Sequence, residues 1–141
     1  MKLYKNLFDS LCSFRNLHRA FIKARKGKRF KQGVGEFELN LEDELFKLQK
    51  ELMNQTYSPR SLRRFIIRDP KSRVIHASDF RDRVVHHALV NILQPIFEPT
   101  FIYDSFSNQI GKGTHKALAR FDKFGRKVSE NGRLVENANY N

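Results

Sequence analysis

The chain is 141 residues long, enough for one hydrophobic core with little room for a second. Its 27 Lys and Arg against 15 Asp and Glu give a formal charge of +12, an imbalance that favours a polyanionic partner, because each cation that neutralises a phosphate releases condensed counterions. An acidic membrane is the rival partner, but no stretch approaches the roughly 20 apolar residues of a span, no apolar signal core opens the sequence, and the single cysteine, Cys12, permits neither an intrachain disulfide nor a cysteine-rich zinc site; the expectation is a soluble protein of the reducing cytoplasm, without a membrane partner.

From Leu3 to Ile22 the residues Leu3, Leu7, Leu11, Phe14, Leu17 and Phe21 recur every three or four positions, which predicts one amphipathic helix ended near Gly27. With 13 Phe, 4 Tyr and no Trp, the core should be rich in phenylalanine, leaving some aromatics to stack on bases. Residues 23–35 form a basic arm, with six cations among the nine residues Lys23 to Lys31, followed by Gln32-Gly33-Val34-Gly35. Such a run reads as a solvated loop, kept either for solubility or, the favoured use, for phosphate contact by Lys26, Lys28 and Arg29. Asn40 is placed to cap a helix with Glu42, Asp43 and Glu44 in its first turn and Leu41, Leu45, Leu48 and Leu52 as its buried stripe. Thr56-Tyr57-Ser58-Pro59 stops it, since the residue before proline disfavours helical geometry.

Residues 63–77 read as a β-hairpin: Phe65-Ile66-Ile67 and Val74-Ile75 flank a turn containing Asp69-Pro70. Asp79 is placed to cap the next helix, whose Val84, Val85, Ala88, Leu89, Ile92, Leu93 and Ile96 repeat at helical spacing as far as Pro95 to Pro99. A last helix is expected from Thr114, with Ala117, Leu118, Phe121 and Phe124 on one face, failing at Gly125. Residues 129–141 form a polar, asparagine-rich tail with no period, expected to be disordered. The expected fold is α+β and mainly helical, with amphipathic helices around a short β-hairpin in residues 1–128.

The hairpin and the helix after it hold a second basic group: Arg60, Arg63, Arg64, Arg68, Lys71, Arg73, Arg81 and Arg83. Arginine's planar fork suits phosphate, and strand alternation puts Arg73 and Ile75 on one face with Val74 and His76 on the other. The competing use is pairing with Asp69, Asp79 and Asp82, which for Arg81 and Arg83 weighs equally with a ligand role. Gly111-Lys112-Gly113-Thr114-His115 could present Lys112 and backbone N–H groups to an anion at a helix start, although its spacing is not that of a P-loop. The five histidines include no i,i+4 pair with an intervening glutamate, and no hydrolase signature places Ser, His and Asp together. No catalytic residue and no metal ligand is therefore assigned.

In order along the chain, Phe65-Ile66-Ile67-Arg68-Asp69-Pro70-Lys71-Ser72-Arg73-Val74-Ile75, Phe80-Arg81-Asp82-Arg83-Val84-Val85-His86-His87-Ala88-Leu89 and the segment Phe101 to Leu118 resemble the N-terminal motifs of bacterial reverse transcriptases of the group II intron-like and retroelement type. The resemblance runs from about Phe14 to Phe124 and implies a fingers subdomain with the adjoining edge of a palm. It implies that Arg68, Lys71 and Arg73 face a nucleotide triphosphate, that Arg81 and Arg83 are structural or template-contacting, and that Ser105 to His115 lies under the template. With Lys26, Lys28, Arg29, Arg63, Arg64 and Lys112, the arginines Arg81 and Arg83 complete the candidate RNA-binding set. At Gln109-Ile110 the family usually carries basic residues. The family's catalytic aspartates, one in an apolar strand and two in a Tyr-x-Asp-Asp turn, have no counterpart among Asp9, Asp43, Asp69, Asp79, Asp82, Asp104 and Asp122.

Two-metal nucleotidyl transfer needs carboxylates converging on both ions. The expectation is therefore a truncated N-terminal part of an RNA-directed DNA polymerase, binding RNA or an RNA/DNA hybrid and inactive alone. It would bind no cofactor itself, Mg²⁺ belonging only to the complete polymerase, whose palm and thumb would lie beyond Asn141 or on a separate chain. The alternative is a stand-alone basic RNA-binding accessory protein without polymerase activity.

Overall fold

The computed structural model describes residues 3–107 and 109–133. Six α-helices and one β-hairpin follow in the order α1 (Leu7–Cys12), α2 (Phe14–Arg25), α3 (Gln32–Leu39), α4 (Leu41–Met53), β1 (Arg63–Arg68), β2 (Ser72–Ala77), α5 (Phe80–Phe97), a 3-10 turn (Glu98–Thr100) and α6 (Thr114–Val128). This is the expected mainly helical α+β composition, with a single antiparallel strand pair among the described residues. Two compact units, Met1–Pro95 and Ile96–Asn141, divide the chain within α5.

The first unit holds the hydrophobic core. Leu17, Ala20, Phe21 and Ala24 of α2 pack with Val34 and Phe37 of α3, Leu45, Leu48 and Leu52 of α4, and Phe80, Val84 and Ala88 of α5, and Cys12 closes one side. Phenylalanine does supply its centre: the Phe21 ring stacks on Phe37 at 5.7 Å and meets the edge of Phe80 at 6.1 Å, while Phe37 and Phe80 are edge to face at 5.3 Å. Offset and edge-to-face pairs gain from the aromatic quadrupole beyond the area they bury.

The expected first helix is two. Ser13 adopts extended backbone between α1 and α2, its Oγ accepting the Asn16 N–H at 3.3 Å and donating to the Ser10 carbonyl at 2.8 Å. A hydroxyl that competes for backbone hydrogen bonds favours a cap over a helix interior, and the turn is braced from α4, where the Gln49 amide donates to the Cys12 carbonyl at 2.9 Å. A polar ladder then ties α2 to α5: Asn16 Nδ2 donates to the Leu11 and Ala88 carbonyls, both at 3.1 Å, Asn91 Nδ2 to Asn16 Oδ1 at 3.0 Å, and Lys23 Nζ to Asn91 Oδ1 at 2.6 Å.

The glycine-bearing segment after the basic arm is also helical, as α3, where a loop was expected. Two interior glycines cost about 1 kcal/mol each, but Val34 and Phe37 are 3% and 6% exposed, and burying two such side chains returns about 1.5–3 kcal/mol apiece. Burial wins over propensity. The basic arm shortens accordingly: Lys23 and Arg25 belong to α2, and Gly27, at φ 71°, turns the chain at a backbone angle that suits glycine. Asn40 stands before α4 as expected, yet its side chain makes no capping hydrogen bond.

The hairpin pairs Phe65 with Ile75, Ile67 with Arg73 and Arg68 with Ser72. Every residue of β1 is exposed, and on β2 only Ile75 and Ala77 are half-buried. The ribbon therefore stands in solvent, rooted at its base.

In the second unit the Lys112 ammonium donates to the Tyr103 carbonyl at 2.6 Å and the Ser105 carbonyl at 3.1 Å, and Arg120 pairs with Asp104 at 2.8 Å. Helix α6 runs through Gly125 to Val128, beyond its expected end, and Leu118, Phe121 and Val128 leave an open apolar row along it. Residues 129–133 continue in turns, and the rest of the tail expected to be disordered, 134–141, lies outside the described residues. Among the described residues no helix is long and apolar enough to cross a membrane.

Candidate nucleic-acid interface

A buried polar network roots the hairpin. Asp82, in the first turn of α5 and 1% exposed, accepts the Tyr57 hydroxyl at 2.7 Å and the Arg60 backbone N–H at 3.0 Å. Asp79 caps α5 as its position predicts, accepting the Arg81 N–H at 3.0 Å, and also holds the Arg60 guanidinium at 3.3 Å. Arg81, 5% exposed, donates to Glu51 of α4 and lies over the Tyr57 ring at 5.5 Å. A buried charge persists only when paired and hydrogen-bonded, so these contacts fix the approach to β1 against α4 and α5. In this structure the Arg81 side chain is engaged in that interior.

Burial, followed by the hydrogen bond and charge of Asp82, raises the Tyr57 pKa well above its ordinary value near 10. A phenol whose folded pKa is raised stabilises the fold fully below its unfolded pKa, and that contribution is lost as pH rises from about 10 towards the folded value. Stability should therefore decline above about pH 10, and Tyr57→Phe should flatten that decline relative to wild type in urea denaturations across the alkaline range. Parallel curves for the two proteins would refute the linkage.

Above this root, Arg63, Arg64, Arg68, Lys71 and Arg73 are all exposed. Cross-strand partners share a face of the ribbon. The register thus puts Arg63, Phe65, Ile67, Arg73 and Ile75 on one face and Arg64, Ile66, Arg68 and Val74 on the other, with Lys71 in the turn. Arg68 and Arg73, expected to share a triphosphate, project from opposite faces, so the structure does not bring this pair together. It does bring Arg63 together with Arg83 and Lys31 around a cleft of ≈ 410 Å³ at the hairpin base, where Glu36 and Asp79 also lie. Arg83 is half-buried and donates from Nε to the Ser78 carbonyl at 3.1 Å. Lys31 was legible only as one more cation of the arm.

Within the arm, Lys26 and Arg29 are exposed and Lys28 is half-buried. Glu38 of α3 pairs with Arg25 and, at 3.6 Å, with Arg29. Burial, then the charges of Lys28, Lys23 and His86, depress the His87 pKa, so the arm's positive field reaches α5. Lys112 is engaged internally, its ammonium also lying 5.1 Å and 5.5 Å from the Tyr103 and Phe106 ring centres, and it holds its own loop. Gln109 likewise turns inward, donating to Ser105 Oγ at 3.1 Å.

The described residues contain no group of three His, Cys, Asp or Glu side chains able to share a metal ion. No family model matches the chain, and no curated protein matches it.

Proposed function

We propose that the chain is a fingers-type, template-gripping region of an RNA-directed DNA polymerase, holding RNA through the hairpin and the basic arm. The observation that carries this reading is the ribbon itself: five exposed cations on a β-hairpin whose base is locked by Asp82, Tyr57 and Arg81. A rigid root lets cations meet phosphates without first ordering a loop, which lowers the entropic cost of binding. The resemblance of the ordered motifs to those of reverse transcriptases supplies the polymerase part of the reading. The reading rests on binding.

The test is titration of the full chain with single-stranded RNA at several salt concentrations, beside primer extension with template-primer, Mg²⁺ and dNTPs. Log affinity should fall linearly with log salt, by about 0.7 per phosphate neutralised on a single strand, and the chain alone should not extend a primer. Salt-indifferent binding, or robust extension, would overturn the reading. The opposed faces of Arg68 and Arg73 favour a second reading, an RNA-binding accessory protein with no triphosphate site. Deoxynucleotide triphosphates that fail to compete with RNA at the hairpin would select it.

A further inference from the structure

A second basic surface lies away from the hairpin, on α2. Arg15, Arg19 and Lys23 follow one another at i, i+4 and i+8, on one side of the helix and all exposed. Each step advances about 6 Å along the axis, comparable to the spacing of successive phosphates on an extended strand. Beside this row runs a cleft of ≈ 600 Å³ whose lining includes Arg15, Arg19, Asn16 and Asn91, with Asp9 as its acidic member. Two of its lining residues, Asn16 and Asn91, are held by hydrogen bonds running from α2 to α5, to each other, to the Ala88 carbonyl and to Lys23.

We propose that this cleft is a second RNA-backbone site, in which Arg15 and Arg19 clamp consecutive phosphates of a single strand while the hairpin holds another part of the same RNA. The inference rests on the nucleic-acid reading above and assigns it a second, separate contact. Like charges one turn apart on a helix destabilise it by about 0.2–0.5 kcal/mol per pair. The row from Arg15 to Lys23 holds two such pairs, Arg15/Arg19 and Arg19/Lys23, with no acidic residue between them on α2. A row kept only for solubility needs no such alignment, and a bound anion relieves the repulsion. Arginine's fork at both positions suits phosphate oxygens.

The experiment is fluorescence anisotropy of a labelled, mixed-sequence single-stranded RNA with three full-length proteins: wild type, Arg15→Gln/Arg19→Gln, and Arg68→Gln/Arg73→Gln. Both α2 side chains are exposed, so an unchanged urea midpoint certifies the fold of that variant. The expected result for it is a slope of log affinity against log salt flatter by about 1.4, with affinity near 0.1 M salt reduced on the order of ten-fold. A wild-type slope and affinity in the α2 variant, with weakened binding in the hairpin variant, would sink this inference and leave the binding reading standing. Failure of the wild-type protein to bind RNA would remove both. Polyglutamate that displaces the RNA as well as unlabelled RNA does, in an Arg15- and Arg19-dependent way, would overturn the assignment to a nucleic-acid strand.

Discussion

Asp82→Ala is expected to be the most damaging single substitution outside the apolar core, lowering stability by about 3 kcal/mol. Its carboxylate is 1% exposed and serves the Tyr57 hydroxyl and the Arg60 N–H, which lie 25 and 22 residues away along the chain. Removing it leaves two donors without an acceptor, at about 1–3 kcal/mol for each that stays buried. Against a typical domain stability of about 5–15 kcal/mol, that is a large fraction. Asp79→Ala is the matched control: it loses a helix cap and a half-exposed ion pair, at about 1 kcal/mol. Urea denaturation should show the Asp82 midpoint falling well below the Asp79 midpoint at an unchanged slope. Equal midpoints would mean that the network does not hold the hairpin base.

RNA affinity supplies the second large effect. Arg68→Gln and Arg73→Gln should each weaken binding, and because their side chains leave opposite faces of the ribbon, their effects should add to within about 0.5 kcal/mol in the double variant. Two arginines clamping one phosphate group behave otherwise, since the first loss already breaks the shared contact. Adding Lys71→Gln at the tip should flatten the salt slope by about 2.1 in total on single-stranded RNA. Additivity supports a strand held along both faces of the ribbon. A strong departure from it would restore a shared triphosphate contact for Arg68 and Arg73.

The hairpin was open to sequence reasoning because both arms carry β-branched runs at a turn signal, and the Asp79 cap because it immediately precedes a helical repeat. Alternation along β2 correctly separates Arg73 from Val74. What alternation on one strand cannot supply is register across two, and that register is what parts Arg68 from Arg73. The break at Ser13 was hidden because the apolar row continues on both sides of it, so the period alone predicts one helix. Helix α3 was hidden by Gly33 and Gly35, whose local cost is outweighed by burial of Val34 and Phe37, a tertiary effect with no local signature. The partner that Arg81 takes in the fold, Glu51, comes from 30 residues earlier, out of reach of local sequence reasoning. The cleft beside Arg15 and Arg19 is legible only in part: their spacing is in the sequence, but Asn91, which completes the wall, comes from a helix far along the chain.

Cys12 gives the molecule a built-in chemical gauge. It is the single thiol in the sequence, 2% exposed in the helical core, and burial, with the nearby charge of Asp9, raises its pKa and keeps it protonated. An alkylating reagent can reach it only when α1 and α2 part from α4. Its labelling rate therefore follows opening of the helical base and is blind to fraying of the ribbon, which has no thiol. Modification in the presence and absence of RNA would then separate tightening of the base from occupation of the hairpin, without introducing a probe.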